Sequence, residues 1–162
     1  MEMNLVRDEK RNRTIVQMDD ARIIWTNFEG RADKFNRAGD RNFTVVIPNM
    51  EMAEALMAEG YNVKISPPRE EGEEPFIKLL VKVRFNDYGP KIILKTGGKK
   101  VLLTEQTVGC LDRIDIESFD LDIRPFKWER PDGANGVSAY LQGALVVQEL
   151  DRFGVHDIYE EE

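Results

Sequence analysis

FIKLLVKVRF, residues 76–85, alternates two chemistries with a period of two. Ile77, Leu79, Val81, Val83 and Phe85 fall on one side, and Lys78, Lys82 and Arg84 fall on the other, with Leu80 among them. Successive side chains of an extended chain point to opposite faces, so this stretch predicts a strand buried on one face and basic on the other.

Similar signals lie on both sides of it. Upstream, Arg41 to Ile47 places Phe43, Val45 and Ile47 on one parity, the pattern of a half-buried strand. Thr14 to Gln17 and Ala21 to Phe28 read as a strand pair or one bent strand, interrupted by Asp19-Asp20, and Gly30 to Asp40 reads as a long loop. Pro48 ends a strand and Asn49 caps a short helix from Met50 to Glu59, with Met50, Ala53 and Met57 as its apolar face and Gly60 as its stop. Tyr61 to Ile65 is extended again, and the proline- and carboxylate-rich SPPREEGEEP is a solvated loop.

Downstream, Asp87, Gly89 and Pro90 make a turn, Ile92 and Leu94 alternate with Lys91, Ile93 and Lys95, and Gly97-Gly98 closes a hairpin with Lys99 to Leu103. Thr104 caps a short turn or helix, EQTVGCL. In Ile114 to Arg124 the apolar parity shifts between Ile116 and Phe119, which predicts a one-residue bulge near Glu117-Ser118. Val137 to Gln148 is a final strand with Val137, Ala139, Leu141, Leu145 and Val147 on one parity and a bend at Gly143.

This order resembles an elaborated oligonucleotide-binding (OB) barrel: all-β, with one or two short helices. A β-sandwich or a mixed α/β domain stays open at this point. The expected organisation is a flexible segment over residues 1–13, a single OB-like domain over 14–149 and an acidic tail over 150–162.

With 41% apolar and 33% charged residues, the 162-residue chain has the composition of one globular domain. No run of about 18 uncharged apolar residues suggests a membrane span. One cysteine, Cys110, excludes an internal disulfide framework, and the N-terminus lacks the apolar core of a secretory signal, so a reducing intracellular compartment is expected. The net charge of −7 weighs against a nucleic-acid partner, but residues 145–162 carry −5 of it and leave the body at −2. A local positive face is compatible with that balance.

Enzyme signatures are sparse. TGGKK, residues 96–100, is a hairpin turn and not a phosphate loop, and no GxGxxG occurs. Cys110 reads as a buried filler. Asp112, Asp115, Glu117, Asp120 and Asp122 would have to converge on Mg²⁺ to serve a nuclease, whereas carboxylates along a strand more simply form a solvated face. No cofactor is expected.

Binding unpaired DNA requires cations for phosphates and flat rings for bases. The loop after the first strands supplies Arg31, Lys34, Arg37 and Arg41 with Phe28 and Phe35, and Arg22 and Trp25 extend the same surface. Lys78, Lys82, Arg84, Lys91 and Lys95 offer a second basic stripe, and Trp128 and Tyr140 are further candidate rings. Taken together, DARIIWTNFEGRADKFNRAGDRNFTVVIP, GYNVK, PPREEGEEPFIKLLVKVRF, PKIILKTGG, LDRIDIESFDLDIRPFKWE and GVSAYL resemble the bacteriophage single-stranded DNA-binding family with an OB fold, over most of residues 14–148. The resemblance implies sequence-tolerant protection of single-stranded DNA in phage replication or recombination, in the cytoplasm of an infected bacterium, with the NFEGRADKFN loop and RNF on the DNA side. The acidic end is expected either to compete for the basic groove or to present Ile158, Tyr159, Glu160, Glu161 and Glu162 to replication or recombination proteins. A homo-oligomer is left open. The rival readings are a protein-interaction or assembly domain with an acidic partner surface, and the Mg²⁺-dependent nuclease.

Overall fold

The computed structural model describes residues 1–150; the expectations for the acidic tail, Ile158 to Glu162 included, lie outside the described residues. The chain forms β1 (Glu2–Asp8), β2 (Arg13–Asp19), β3 (Arg22–Asn27), β4 (Arg41–Ile47), α1 (Met50–Ala58), β5 (Lys64–Ser66), β6 (Phe76–Val83), β7 (Lys91–Thr96), β8 (Lys99–Leu103), a 3-10 helix (Val108–Asp112), β9 (Ile116–Glu129) and β10 (Asn135–Gln148). Strands run in the order β1-β2-β9-β10-β6-β4-β3, with β5 added to β6 and the β7–β8 hairpin added to β10. β10 is antiparallel to β9 and parallel to β6 and β7. The Ala21 N–H donates to the Phe119 carbonyl at 2.9 Å, which brings the entry of β3 back against β9. The result is an elaborated OB fold, as the element order predicted.

Period-two patterning decides what is inside. Ile77, Leu79, Val81 and Val83 of β6 and Phe43, Val45 and Ile47 of β4 are buried, while Leu80, Lys82 and Arg84 are exposed. Three rings fill the centre: Phe28 lies 5.2 Å from Phe43 and 6.3 Å from Phe119, and Phe43 lies 5.3 Å from Phe119. The expected bulge is present in β9: Ser118 faces Val147 and Ile116 faces Gln148, leaving Glu117 as the extra residue.

Four expectations need correction. Residues 1–13 are not a loose segment throughout, because Glu2–Asp8 pairs with Arg13–Asp19 in a continuous antiparallel ladder. Met3 packs against the core from this strand, and Asn12, a residue type that tolerates a left-handed backbone, turns the hairpin at φ 50°. The strand pair of residues 14–28 is β2 and β3, which pair with β9 and β4 rather than with each other. On α1 the buried face is Ala53 and Leu56, with Met50 and Met57 exposed. In β10 the inward parity holds through Ala139 and Leu141 and then reverses, so that Val146 and Gln148 are buried in place of Leu145 and Val147. The cause is a second bulge at Gln142, since Leu141 faces Ile123 and Gly143 faces the adjacent Asp122. One inserted residue moves every later side chain to the other face. The Gln148 side chain that this buries accepts, at Oε1, a hydrogen bond from the Thr96 hydroxyl at 2.9 Å.

The helix is delimited as its sequence suggests. The Asn49 side chain accepts from the Met52 N–H at 2.9 Å. Gly60 ends it at φ 97°, where a Cβ would lie 2.9 Å from Val137 Cγ2. Among the described residues no helix is long and apolar enough to cross a membrane.

Candidate nucleic-acid interface

Strand register assembles a surface that no single segment contains. Tyr140 of β10 pairs with Arg124 of β9 on one side and with Lys82 of β6 on the other, and Lys82 pairs with Asn42 of β4. Their neighbours Val81, Ile123 and Leu141 are buried, so this row lies on the face away from the core. The Arg124 guanidinium is 4.9 Å from the Tyr140 ring centre and Lys82 Nζ is 5.9 Å from it, and the Phe126 ring meets Tyr140 edge-on at 5.5 Å. Such contacts hold cations over the electron-rich ring face and fix both partners.

Two residues further along β9, Trp128 lies across Gly136 of β10, and the Arg130 guanidinium is 5.6 Å from the Trp128 ring centre. Phe126 and Trp128 remain 47% and 36% exposed, so each keeps ring surface available to a base. Lys82, Phe126, Trp128, Arg130, Ser138 and Tyr140 together line an open groove of about 380 Å³. Gly136 is what lets the indole lie down: a Cβ there would come 2.6 Å from Trp128 Cζ2. Gly136→Ala is therefore expected to displace the indole and weaken binding of unpaired DNA while leaving the Phe28–Phe43–Phe119 core intact. A DNA titration paired with a thermal melt checks this, and unchanged affinity would contradict the placement of Trp128.

On the other side of Tyr140 the positive charge continues. Burial lowers the Arg124 pKa below the ordinary arginine value, the nearby Arg13, Arg84 and Arg11 charges push it the same way, and Tyr140 opposes them. Arg11 also lies 5.9 Å from the ring of Tyr88, which is 85% exposed.

The loop singled out in the sequence borders this face. Asn27 Oδ1 accepts from the Gly30 and Arg31 N–H groups at 3.0 and 2.9 Å, and the Asn36 amide donates to the carbonyls of Arg31, Arg37 and Asp40. Asn42 Nδ2 donates to Asn36 Oδ1 at 2.9 Å, which ties the loop to the row that contains Lys82. Phe35 is 90% exposed with Lys34 Nζ 5.7 Å from its ring, Arg37 is exposed, and Arg31 stands 3.9 Å from Glu29.

Other sequence candidates sit elsewhere. Phe28 is fully buried and cannot stack on a base. Arg41 is mostly enclosed, paired with Glu105 at 3.3 Å and set over the Phe85 ring. Trp25 is exposed at a bulge of β3 with φ 51°, a strained left-handed conformation for a bulky residue, and it packs against Phe76 with Lys78 Nζ 4.9 Å from its ring. Arg22 borders a groove shared with Asp20, Asp115 and Glu117. Lys91 and Lys95 project from β7, which joins β10 beyond the Gln142 bulge.

The carboxylates of the nuclease reading are partly occupied by the fold. Asp112 accepts from the Phe28 and Glu29 N–H groups at 3.0 and 2.9 Å, and Asp120 accepts from the Asp20 N–H at 2.8 Å. Among the described residues, no three His, Cys, Asp or Glu side chains are grouped to hold a metal ion. Burial pushes the Cys110 thiol pKa up, against the opposing pull of Arg113. That favours the unreactive protonated form.

Sequence reasoning missed Arg11, Arg13, Tyr88, Arg124, Phe126 and Arg130. A signal existed for three of them: in RPFKWER, residues 124–130, Arg124, Phe126, Trp128 and Arg130 share one parity of a strand.

Comparison with known proteins gives a consistent family. The structure is similar to the single-stranded DNA-binding protein from bacteriophage Enc34, with a TM-score of 0.53 at 11% identity, covering 98% of this chain and 99% of that one. A C-terminal truncation of the same phage protein aligns with a TM-score of 0.50 at 14% identity, over 93% of this chain and 97% of that one. No curated protein sequence matches at a significant level. The family model described as "Putative phage ssDNA-binding domain" matches residues 6–156, nearly the whole chain. The chain belongs to this family of phage single-stranded DNA-binding domains.

Proposed function

We propose that this protein coats single-stranded DNA with little base-sequence preference during phage DNA replication or recombination, in the cytoplasm of an infected bacterium, and does so without catalysis. The observation that carries the reading is the alternation of Arg124, Phe126 and Trp128 along the outer face of β9, continued by Arg130 just past its end and flanked by Lys82 and Tyr140. Guanidinium and ammonium groups neutralise phosphates, and Phe126 and Trp128 stack on bases, which every base permits because each has a π-face. The Lys34–Phe35 loop flanks the path through Asn36 and Asn42, and Trp25 with Lys78 forms an outlying station on β3 and β6. The acidic end, Ile158 to Glu162, is proposed to engage replication or recombination proteins.

A mobility comparison of single- and double-stranded DNA of equal length, with and without Mg²⁺, tests the reading. Strong single-strand preference without cleavage is expected. Absence of that preference at low salt would remove the proposal, and Mg²⁺-dependent release of nucleotides would favour the nuclease. Binding should weaken linearly in log–log salt plots with a slope of about −0.7 per phosphate neutralised on a single strand. Arg130→Gln should make that slope shallower by about 0.7. An unchanged slope would place Arg130 outside the DNA path.

A further inference from the structure

The positive recess beside Tyr140 has a different character from the aromatic groove. It measures about 440 Å³ and is lined by Arg11 and Arg13 from the β1–β2 hairpin, Asn86 and Tyr88 from the turn after β6, and Arg124 and the bulged Gln142 from the sheet. Four separate pieces of chain thus meet there: that hairpin, that turn, β9 and β10. Arg13 donates to Gln142 Oε1 at 3.4 Å and pairs with Asp8 at 3.4 Å. Among the described residues no carboxylate lies within ion-pair distance of Arg11, Arg84 or Arg124. Asp8 balances Arg13 alone; gathering the remaining guanidinium groups without counter-charges is unfavourable in the unoccupied protein, and a bound anion relieves it. Guanidinium forks match the oxygens of a phosphate in geometry as well as charge. A phosphodiester inside a strand carries one negative charge, whereas a phosphate monoester at neutral pH carries about 1.5 to 2. The volume suits a phosphate with one nucleoside and not a run of them, and the exposed Tyr88 ring stands beside it to stack that base.

We propose that this recess binds a phosphate dianion, and that its source is the terminal phosphate of a single strand whose end base lies on Tyr88. The source rests on the single-stranded DNA reading above; the phosphate chemistry does not. The test uses the full chain and one short oligonucleotide in three forms: 5′-phosphorylated, 3′-phosphorylated and with hydroxyl groups at both ends. One phosphorylated form should bind about tenfold tighter than the hydroxyl form, the size expected for one added charge-assisted contact. In Arg11→Gln and in Tyr88→Ala the preference should vanish, so that the phosphorylated and hydroxyl forms bind each variant equally. A parallel NMR titration with inorganic phosphate should shift the Arg11, Tyr88 and Gln142 signals. Those shifts without any end preference would still establish the phosphate site and assign it to free phosphate. No end preference together with no shift would overturn the proposal, even with ordinary binding of hydroxyl-ended DNA. Failure to bind any of the three oligonucleotides would instead remove the single-stranded DNA reading.

Discussion

Phe28→Ala should lower the free energy of unfolding by about 3–5 kcal/mol, the range for deleting a fully enclosed aromatic ring. Phe28 has no exposed surface and sits against both Phe43 and Phe119, so its loss removes one third of the central ring cluster. The two backbone N–H groups of Phe28 and Glu29 are held by Asp112, so the chain there cannot easily collapse into the space left behind. Chemical denaturation monitors the effect. At a temperature where the variant is folded, its affinity for single-stranded DNA should match the wild type. A stable variant with weakened DNA binding would mean that Phe28 is a stacking residue after all, as its position beside the basic loop suggests in the sequence.

Removing both exposed rings of β9 should have the opposite signature. Base stacking on an aromatic is worth about 1–3 kcal/mol per base, so Trp128→Ala or Phe126→Ala is expected to weaken single-stranded DNA binding by about 5- to 150-fold. The two rings flank neighbouring positions of one groove, so the double variant need not show the sum of the single effects. Both residues are partly exposed and outside the core cluster, so the unfolding midpoint should change much less than in Phe28→Ala. Trp128→Phe keeps a ring on Gly136 and should retain most of the affinity. Wild-type affinity in the double variant would move the base-binding surface elsewhere, with Trp25 and Phe35 as the next candidates.

The contrast between these two predictions shows what the sequence could and could not convey. Patterning within one strand was legible: Ile77, Leu79, Val81 and Val83 are inside, Lys82 and Arg84 outside, and the parity break in residues 114–124 is a bulge at Glu117. Parity was not legible where a bulge arises without an apolar signature. The residues before and after Gln142 alternate smoothly in the sequence, yet the register against β9 inserts Gln142 and turns Leu145 and Val147 away from the deep core. The binding face was only half legible for a related reason. Lys82, Arg84, Trp128 and Tyr140 were recognised as chemistry, but Arg124 enters through its pairing with Tyr140, and Arg11 and Tyr88 enter through two distant turns. Those adjacencies are properties of the parallel pairing of β6 with β10 and the antiparallel pairings of β9 with β10 and with β2. Proximity in sequence misled in the other direction: Phe28 and Arg41 adjoin the basic loop, but one fills the core and the other is committed to Glu105.

The chain has two tryptophans, Trp25 and Trp128, which makes the central claim directly readable by fluorescence. In a Trp25→Phe variant, Trp128 reports alone from the Lys82–Tyr140 face. Titration with an oligothymidylate should quench its emission saturably, at a midpoint that rises with salt and coincides with the mobility shift. If the strand binds, by mobility shift, while the Trp128 emission stays constant, unpaired bases do not lie on the outer face of β9 and the account given for that face is wrong.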